Sequence, residues 1–194
     1  MKMRQAEVSR KTNETDIRVS LNIDGSGKVS CNSGNGFFDH MINSMGRHAG
    51  YDIEIECKGD TFVDFHHSAE DIGIVLGKAF AECVADKKGI KRFGLAYTPM
   101  DEALAMSAVD VSGRPFLVFN AEMPAERVGE FETELVEEFM RAFAMNALVT
   151  LHVNVLYGKN THHIIEAMFK SVGRALADST RITGDSVLST KGVL

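Results

Sequence analysis

The feature that most restricts this 194-residue chain is a device written twice, 96 positions apart: His66-His67-Ser68-Ala69-Glu70 and His162-His163-Ile164-Ile165-Glu166. Each copy opens a helical pattern after a similar order of elements, so the fold must present both in matched settings. On a helix, positions four apart stack on one face, whereas adjacent positions point about 100° away from each other. His66 therefore pairs with Glu70 and His162 with Glu166, while His67 and His163 turn away from the metal that their own neighbour binds. Crossing the copies gives two metal sites: His66, Glu70 and His163 in one, and His162, Glu166 and His67 in the other. A single adjacent histidine pair at a helix start is ordinary polar surface. Two copies, with all seven histidines in or before them, are not.

The rest of the chain reads as one supersecondary unit used twice. Alternation over residues 15–21, the turn Asp24-Gly25-Ser26-Gly27 and a short run to Cys31 predict a hairpin. Helical periodicity over 37–49 is closed by Gly50, residues 51–57 alternate as a strand, and Ile72, Val75, Leu76, Ala79, Phe80 and Cys83 form the buried stripe of the first metal helix. After a polar connector at 86–94, strands over 103–111 and 116–122, a helix over about 131–148, a strand over 151–157 and a helix from His162 repeat that order. The expectation is one α+β domain over residues 1–194. It is built of strand-strand-helix-strand-helix quasi-repeats at about 1–90 and 91–194, each a mainly antiparallel sheet covered on one face by helices.

The composition is that of an ordinary globular protein, 44% apolar and 25% charged. A net charge of -6 without a dense Lys/Arg run argues against nucleic acid, and isolated basic residues near the motifs suit small anions. The chain lacks a membrane-length apolar stretch, and Met1-Lys2-Met3-Arg4-Gln5 does not lead into a signal-peptide core, so a cytoplasmic location is expected. Cys31, Cys57 and Cys83 lack metal or disulfide spacing and read as packed free thiols. The repeat also suggests where further ligands lie: His40 precedes His66 by 26 positions, and Glu137 and Glu138 precede His162 by 25 and 24. Imidazole and carboxylate ligands suit Mn, Fe or Zn. The bland alternative for Glu137 and Glu138 is a solvated helix face.

Five stretches carry a resemblance: Gly36-Phe37-Phe38-Asp39-His40-Met41, Asp64-Phe65-His66-His67-Ser68-Ala69-Glu70-Asp71, Ser112-Gly113-Arg114-Pro115, His162-His163-Ile164-Ile165-Glu166-Ala167 and the closing Ser189-Thr190-Lys191-Gly192. Together they resemble the imidazoleglycerol-phosphate dehydratase family of histidine biosynthesis, over nearly the whole chain and in order. The resemblance implies a duplicated fold of the ribosomal protein S5 domain 2-like type. It also implies a lyase that removes water from imidazole glycerol phosphate to give imidazole acetol phosphate, with two Mn2+ per active site and sites at the contacts of a 24-subunit cage. The implied metal ligands are His40, His66, His67, Glu70, His162, His163 and Glu166. Glu138 stands where family members carry histidine, and His152 is a neighbour able to substitute for it. The implied substrate contacts are Glu14, His40, Arg47, His48, Arg92, Arg114, Lys170, Ser189, Thr190 and Lys191.

The proton lost in this dehydration has no adjacent carbonyl to acidify it, so the imidazole ring must help expel the hydroxyl. Glu14 is the first candidate for proton transfer, with His48 and the carboxylates Glu70 and Glu166 behind it. Two other readings of the doubled motif are a dinuclear metal-dependent phosphoester hydrolase and a metal clip that only assembles subunits.

Overall fold

The computed structural model describes residues 3–191; Met1 and Lys2 of the N-terminal run and Gly192 of the closing motif lie outside the described residues. The first half runs β1 (Gln5–Lys11), β2 (Thr15–Asn22), β3 (Val29–Asn32), α1 (Gly36–Ala49), β4 (Asp52–Gly59) and α2 (His66–Val84). The second runs β5 (Phe93–Met100), β6 (Ala103–Asp110), β7 (Phe116–Asn120), a ribbon of β8 (Arg127–Val128) and β9 (Phe131–Glu132), α3 (Leu135–Ala147), β10 (Thr150–Tyr157) and α4 (Thr161–Thr180). Their sheets have the same order, β1-β2-β4-β3 and β5-β6-β10-β7, so the duplication expected from the motifs is present in the topology.

The repeating unit has one strand more than the sequence pattern suggests. β1 is a half-buried edge strand whose polar residues outnumber Ala6 and Val8. In β5 the inward positions are Gly94, Ala96 and Thr98, whereas the large Phe93, Leu95 and Tyr97 face outward, which inverts the usual hydrophobic alternation. The expected hairpin between β2 and β3 does not form, because β4 lies between them. Asp52, at the start of β4, accepts the N–H groups of Ser26 at 2.8 Å and Lys28 at 2.9 Å through Oδ1. That grip draws the glycine turn onto β4, and Val29 then pairs in parallel with Ile53. β7 likewise pairs in parallel with β10, so each sheet is mainly antiparallel, as expected, with one parallel pair joined by a helical crossover. α3 starts at Leu135 rather than near 131, because Phe131 belongs to the β8–β9 ribbon turned at Gly129, whose φ is 60°.

Each sheet is covered on one face only. Ile17, Val19, Leu21, Ile53 and Ile55 enter the core, while the intervening Arg18, Glu54 and Glu56 face outward. The helices lie between the two sheets, and the first helix of each half packs on the second helix of the other: α1 on α4, and α3 on α2. Two glycines 96 positions apart make these crossings close. A Cβ on Gly77 would lie 2.6 Å from the carbonyl oxygen of Phe143, and one on Gly173 would collide with the carbonyl of Met45. Around Phe38 the core is aromatic, with ring centroids of Phe65, Phe131 and Phe139 at 5.4, 5.9 and 5.2 Å. The three cysteines are free, with Cys57 and Cys83 buried, and burial pushes their thiols up.

Gly173→Ala is expected to destabilise the protein by about 1–3 kcal/mol, as overpacking of a tight core does. Gly36→Ala, with nothing within 4 Å of the added carbon, is the neutral control. Urea unfolding followed by circular dichroism compares the two, and equal midpoints would refute the crossing as a tight contact.

Candidate active site

Both histidine motifs sit at helix starts because a side chain just upstream accepts the first free N–H groups. Asn160 Oδ1 accepts from His162 at 2.9 Å and His163 at 3.3 Å, and Asp64 Oδ1 accepts from His66 at 2.8 Å. α1 is capped in the same way by Asn35, which accepts from Phe38 at 3.1 Å, and it ends on Gly50 with φ 71°. These acceptors and the Phe38 cluster hold the leading turns of α1, α2 and α4, whereas α3 starts without a side-chain cap.

The leading turns of α1 and α4 converge across the two halves. His162 Nε2 lies 3.2 Å and His40 Nε2 3.5 Å from Glu166 Oε2, and Lys170 Nζ lies 2.7 Å from Glu166 Oε1. His40, His162 and Glu166 offer donor atoms all within 4.8 Å of one another, the one such grouping of three among the described residues. Two imidazoles and a carboxylate are a donor set suited to Mn, Fe or Zn, so the residues present fit a divalent transition metal. Burial works to raise the Glu166 carboxyl, but the hydrogen bond and charge of Lys170, with His40, outweigh it and lower its pKa. His48 is lowered, first by desolvation and then by the charges of Lys170 and Arg174.

In the first half, His66 Nε2 is 3.9 Å from Glu70, and the two are roughly half exposed. His67 Nδ1 lies 3.1 Å from Asp60 Oδ2, and its Nε2 lies 3.9 Å from Glu14. The hydrogen bond to Asp60 raises the pKa of His67. His163 is the counterpart of His67: its Nδ1 is 2.7 Å from Glu102 and its Nε2 is 3.7 Å from Asp101. The same bond raises the pKa of His163 and, aided by the N–H groups of Asn160 and Lys159, draws the Glu102 carboxyl down to about 2. Within one chain His67 and His163 thus face their own half's carboxylates, and the crossed ligand sets do not meet. Asp60, Asp101, Glu102 and Arg174 were not singled out by the sequence patterns. The duplication holds a signal for Glu102, which precedes β6 just as Glu14 precedes β2.

The expected anion contacts fall in two places. Lys170 on α4 pairs with Glu166, His48 in the last turn of α1 feels the charges of Lys170 and Glu166, and Arg47 precedes it on that turn. Arg92, Arg114, Ser189, Thr190 and Lys191 line one cavity of about 640 Å³ with Val187 and Leu188. Arg92 forms a two-pronged pair with Asp110, at 2.7 and 3.1 Å, and donates to the carbonyl of Leu188 at 2.7 Å. Its backbone N–H donates to Ser179 near the end of α4. At 1.5 Å per residue, Ser179 is about 20 Å along the helix from Glu166. Glu138, on the leading turn of α3, has no ion pair among the described residues, whereas Glu137 pairs with Arg141. His152 alternates with the inward Leu151 and Val153, so it lies on the outer face of the second sheet, apart from the His162 cluster of its own chain.

The sequence model of the imidazoleglycerol-phosphate dehydratase family matches residues 33–176. The chain belongs to this family. The imidazoleglycerol-phosphate dehydratase of Acetivibrio thermocellus is 58% identical over 98% of this chain and 99% of that protein. That of Thermoanaerobacter pseudethanolicus is 57% identical over 99% of this chain and 100% of that protein. The Staphylococcus aureus crystal structure superposes with a TM-score of 0.84 at 44% identity, covering 92% of this chain and 99% of that one. The Pyrococcus furiosus enzyme, solved in complex with (S)-C348, gives a TM-score of 0.84 at 36% identity, covering 96% and 100%. The chain is therefore an enzyme, an imidazoleglycerol-phosphate dehydratase of histidine biosynthesis acting on a small molecule. No helix among the described residues is long and apolar enough to cross a membrane.

The lowered pKa of Glu166 means that its ionised form contributes stability above the ordinary carboxylate value of 4.5, and that this is lost as pH falls through the folded value. Lys170→Met removes the main cause of the lowering. The acid-unfolding midpoint of the metal-free protein is expected to move to higher pH; a midpoint unchanged or lower would contradict the pairing.

Proposed function

We propose that the chain dehydrates imidazole glycerol phosphate to imidazole acetol phosphate with two Mn2+ per active site, in the cytoplasm, at sites completed between neighbouring chains of a 24-subunit cage. The observation that carries this reading is the separation along α4. The cluster of His40, His162 and Glu166 lies at its start and the Arg92–Arg114 cavity at its end. The gap of about 20 Å exceeds what a three-carbon chain spans between ring and phosphate. A substrate touching both kinds of residue must take them from different chains. His66, His67, Glu70 and His163 would then complete ligand sets that a single chain leaves open. Glu138 remains the proposed last ligand, and its place on α3 matches that of His40 on α1.

Bound at these residues, Mn2+ would supply Lewis acidity toward the substrate's ring nitrogens. The chain's own groups do the rest. Arg92, Arg114, Ser189, Thr190 and Lys191 hold the phosphate, and Lys170, Arg47 and His48 add donors beside the imidazole cluster. Glu14, exposed at a hairpin turn and 3.9 Å from His67, removes the proton from the carbon next to the one that loses hydroxide. His48, Glu70 and Glu166 would serve as further proton carriers once neighbouring chains bring them together.

Chelation is expected to abolish ketone formation and to lower the mass in size-exclusion chromatography, and Mn2+ should restore both. An intact cage after complete metal loss would count against shared sites, and release of inorganic phosphate would favour a hydrolase. Glu14→Gln should lower kcat by about 10²–10⁴-fold with bound metal unchanged. Glu138→Gln should instead lower the metal counted per chain; retention there, with loss in His152→Ala, would move the last ligand to His152.

A further inference from the structure

Glu102 and Glu14 occupy the same place in the two repeats, each immediately before the second strand of its hairpin, yet they are engaged differently. Glu14 is exposed and makes no hydrogen bond through its carboxylate among the described residues. Glu102 is clamped by three groups. Its Oε1 accepts the backbone N–H of Lys159 at 3.0 Å and of Asn160 at 2.7 Å, and its Oε2 lies 2.7 Å from His163 Nδ1. Asn160 is itself the cap of α4, so one carboxylate fixes both the helix start and the ring that follows it. An ionised carboxylate can only accept, so a neutral His163 must carry its hydrogen on Nδ1 and leave a lone pair on Nε2. The nearest carboxylate oxygen to Nε2 belongs to Asp101, and at 3.7 Å it is too far to make a hydrogen bond.

We propose that Glu102 is a positioning residue: it sets the tautomer and direction of His163 so that Nε2 is offered as a metal donor. Asp60 takes this part at His67 Nδ1 in the first repeat, which leaves Glu14, the positional twin of Glu102, free to meet substrate. The metal in this statement rests on the reading under Proposed function; the tautomer does not. A histidine ligand whose far nitrogen is held by a carboxylate has its ring orientation and basicity fixed before metal arrives, and loss of such a partner typically costs about 10–100-fold in metal affinity.

Two substitutions separate this role from a merely structural one. In Glu102→Gln the single amide oxygen is taken by the N–H groups of Lys159 and Asn160, so the amide NH2 faces His163 Nδ1 and donates to it. That selects the Nε2–H tautomer and blocks the donor. Glu102→Ala releases the ring without imposing the wrong tautomer, although it loses the contacts to the cap. The experiment is magic-angle-spinning 15N NMR of the metal-free, histidine-labelled full chain, with the His163 signals assigned from a His163→Gln variant, together with equilibrium dialysis against Mn2+. The expected result is Nδ1–H in the parent chain and Nε2–H in Glu102→Gln, with Mn2+ affinity lowered about 10–100-fold in Glu102→Gln and less in Glu102→Ala. A role only in capping gives the opposite order, because glutamine keeps the cap contacts. A weaker Glu102→Ala, or an unchanged tautomer in Glu102→Gln, overturns the proposal. If Glu102→Ala does not fold, the tautomer of Glu102→Gln decides alone. A parent chain that takes up no Mn2+ would sink the metal reading, while its metal-free tautomer would still decide the part played by Glu102.

Discussion

The crossing of α1 over α4 at Gly173 is the constraint on which the site depends. Because no side chain stands between the helix and the carbonyl of Met45, the two helices approach at backbone distance. Their leading turns, a turn or two before the contact, then come close enough for His40 to reach Glu166 at 3.5 Å. A crossing held apart by one methyl group would open this cluster without touching a ligand. The aromatic rings around Phe38 act at the other end of the same lever: Phe38 lies two residues from His40, Phe65 adjoins His66, and Phe139 adjoins Glu138. Close packing transmits small displacements, so core and site form one mechanical unit.

The duplicated crossing of α3 over α2 repeats the geometry but not the chemistry. Gly77 meets the carbonyl of Phe143 just as Gly173 meets that of Met45. Where α1 carries His40, however, α3 carries Glu138, a carboxylate in place of an imidazole. No grouping of three donors closes there among the described residues. The cation beside Glu166 is missing as well, since the position of Lys170 is held by Ile74 in the first repeat. Like-charged carboxylates disfavour a compact arrangement unless a cation lies between them. The two halves therefore share a backbone and differ in how far their ligands are gathered before any partner arrives.

Much of this was legible in the residues. The spacing of the two His-His-x-x-Glu motifs gave both helix starts and the duplication, and the pairs His66–Glu70 and His162–Glu166 lie where helical spacing puts them. What the patterns missed depends on tertiary contact. β5 was hidden because α4 packs so tightly on it that glycine, alanine and threonine face inward. The parallel placement of β3 was hidden because it is set by Asp52, 24 and 26 residues away from the two residues it grips. Asp60 and Glu102 escaped notice because an isolated acidic residue in a turn has no period, and its meaning comes from the ring it faces.

The cavity at the far end of α4 follows from charge balance. Asp110 takes two of the donors of Arg92 and lies 3.6 Å from Arg114, so one carboxylate stands between two guanidinium groups. Arg92, with little exposure left, spends a third donor on Leu188 and so docks the segment that brings Ser189, Thr190 and Lys191 over the cavity. Arg114 remains about two-thirds exposed, and it and Lys191 line the cavity with side chains that donate no hydrogen bond among the described residues. Arg92 thus builds the wall while Arg114 and Lys191 supply the free charge. An anion entering there meets two arginines and a lysine around Asp110, a carboxylate already engaged by two donors of Arg92.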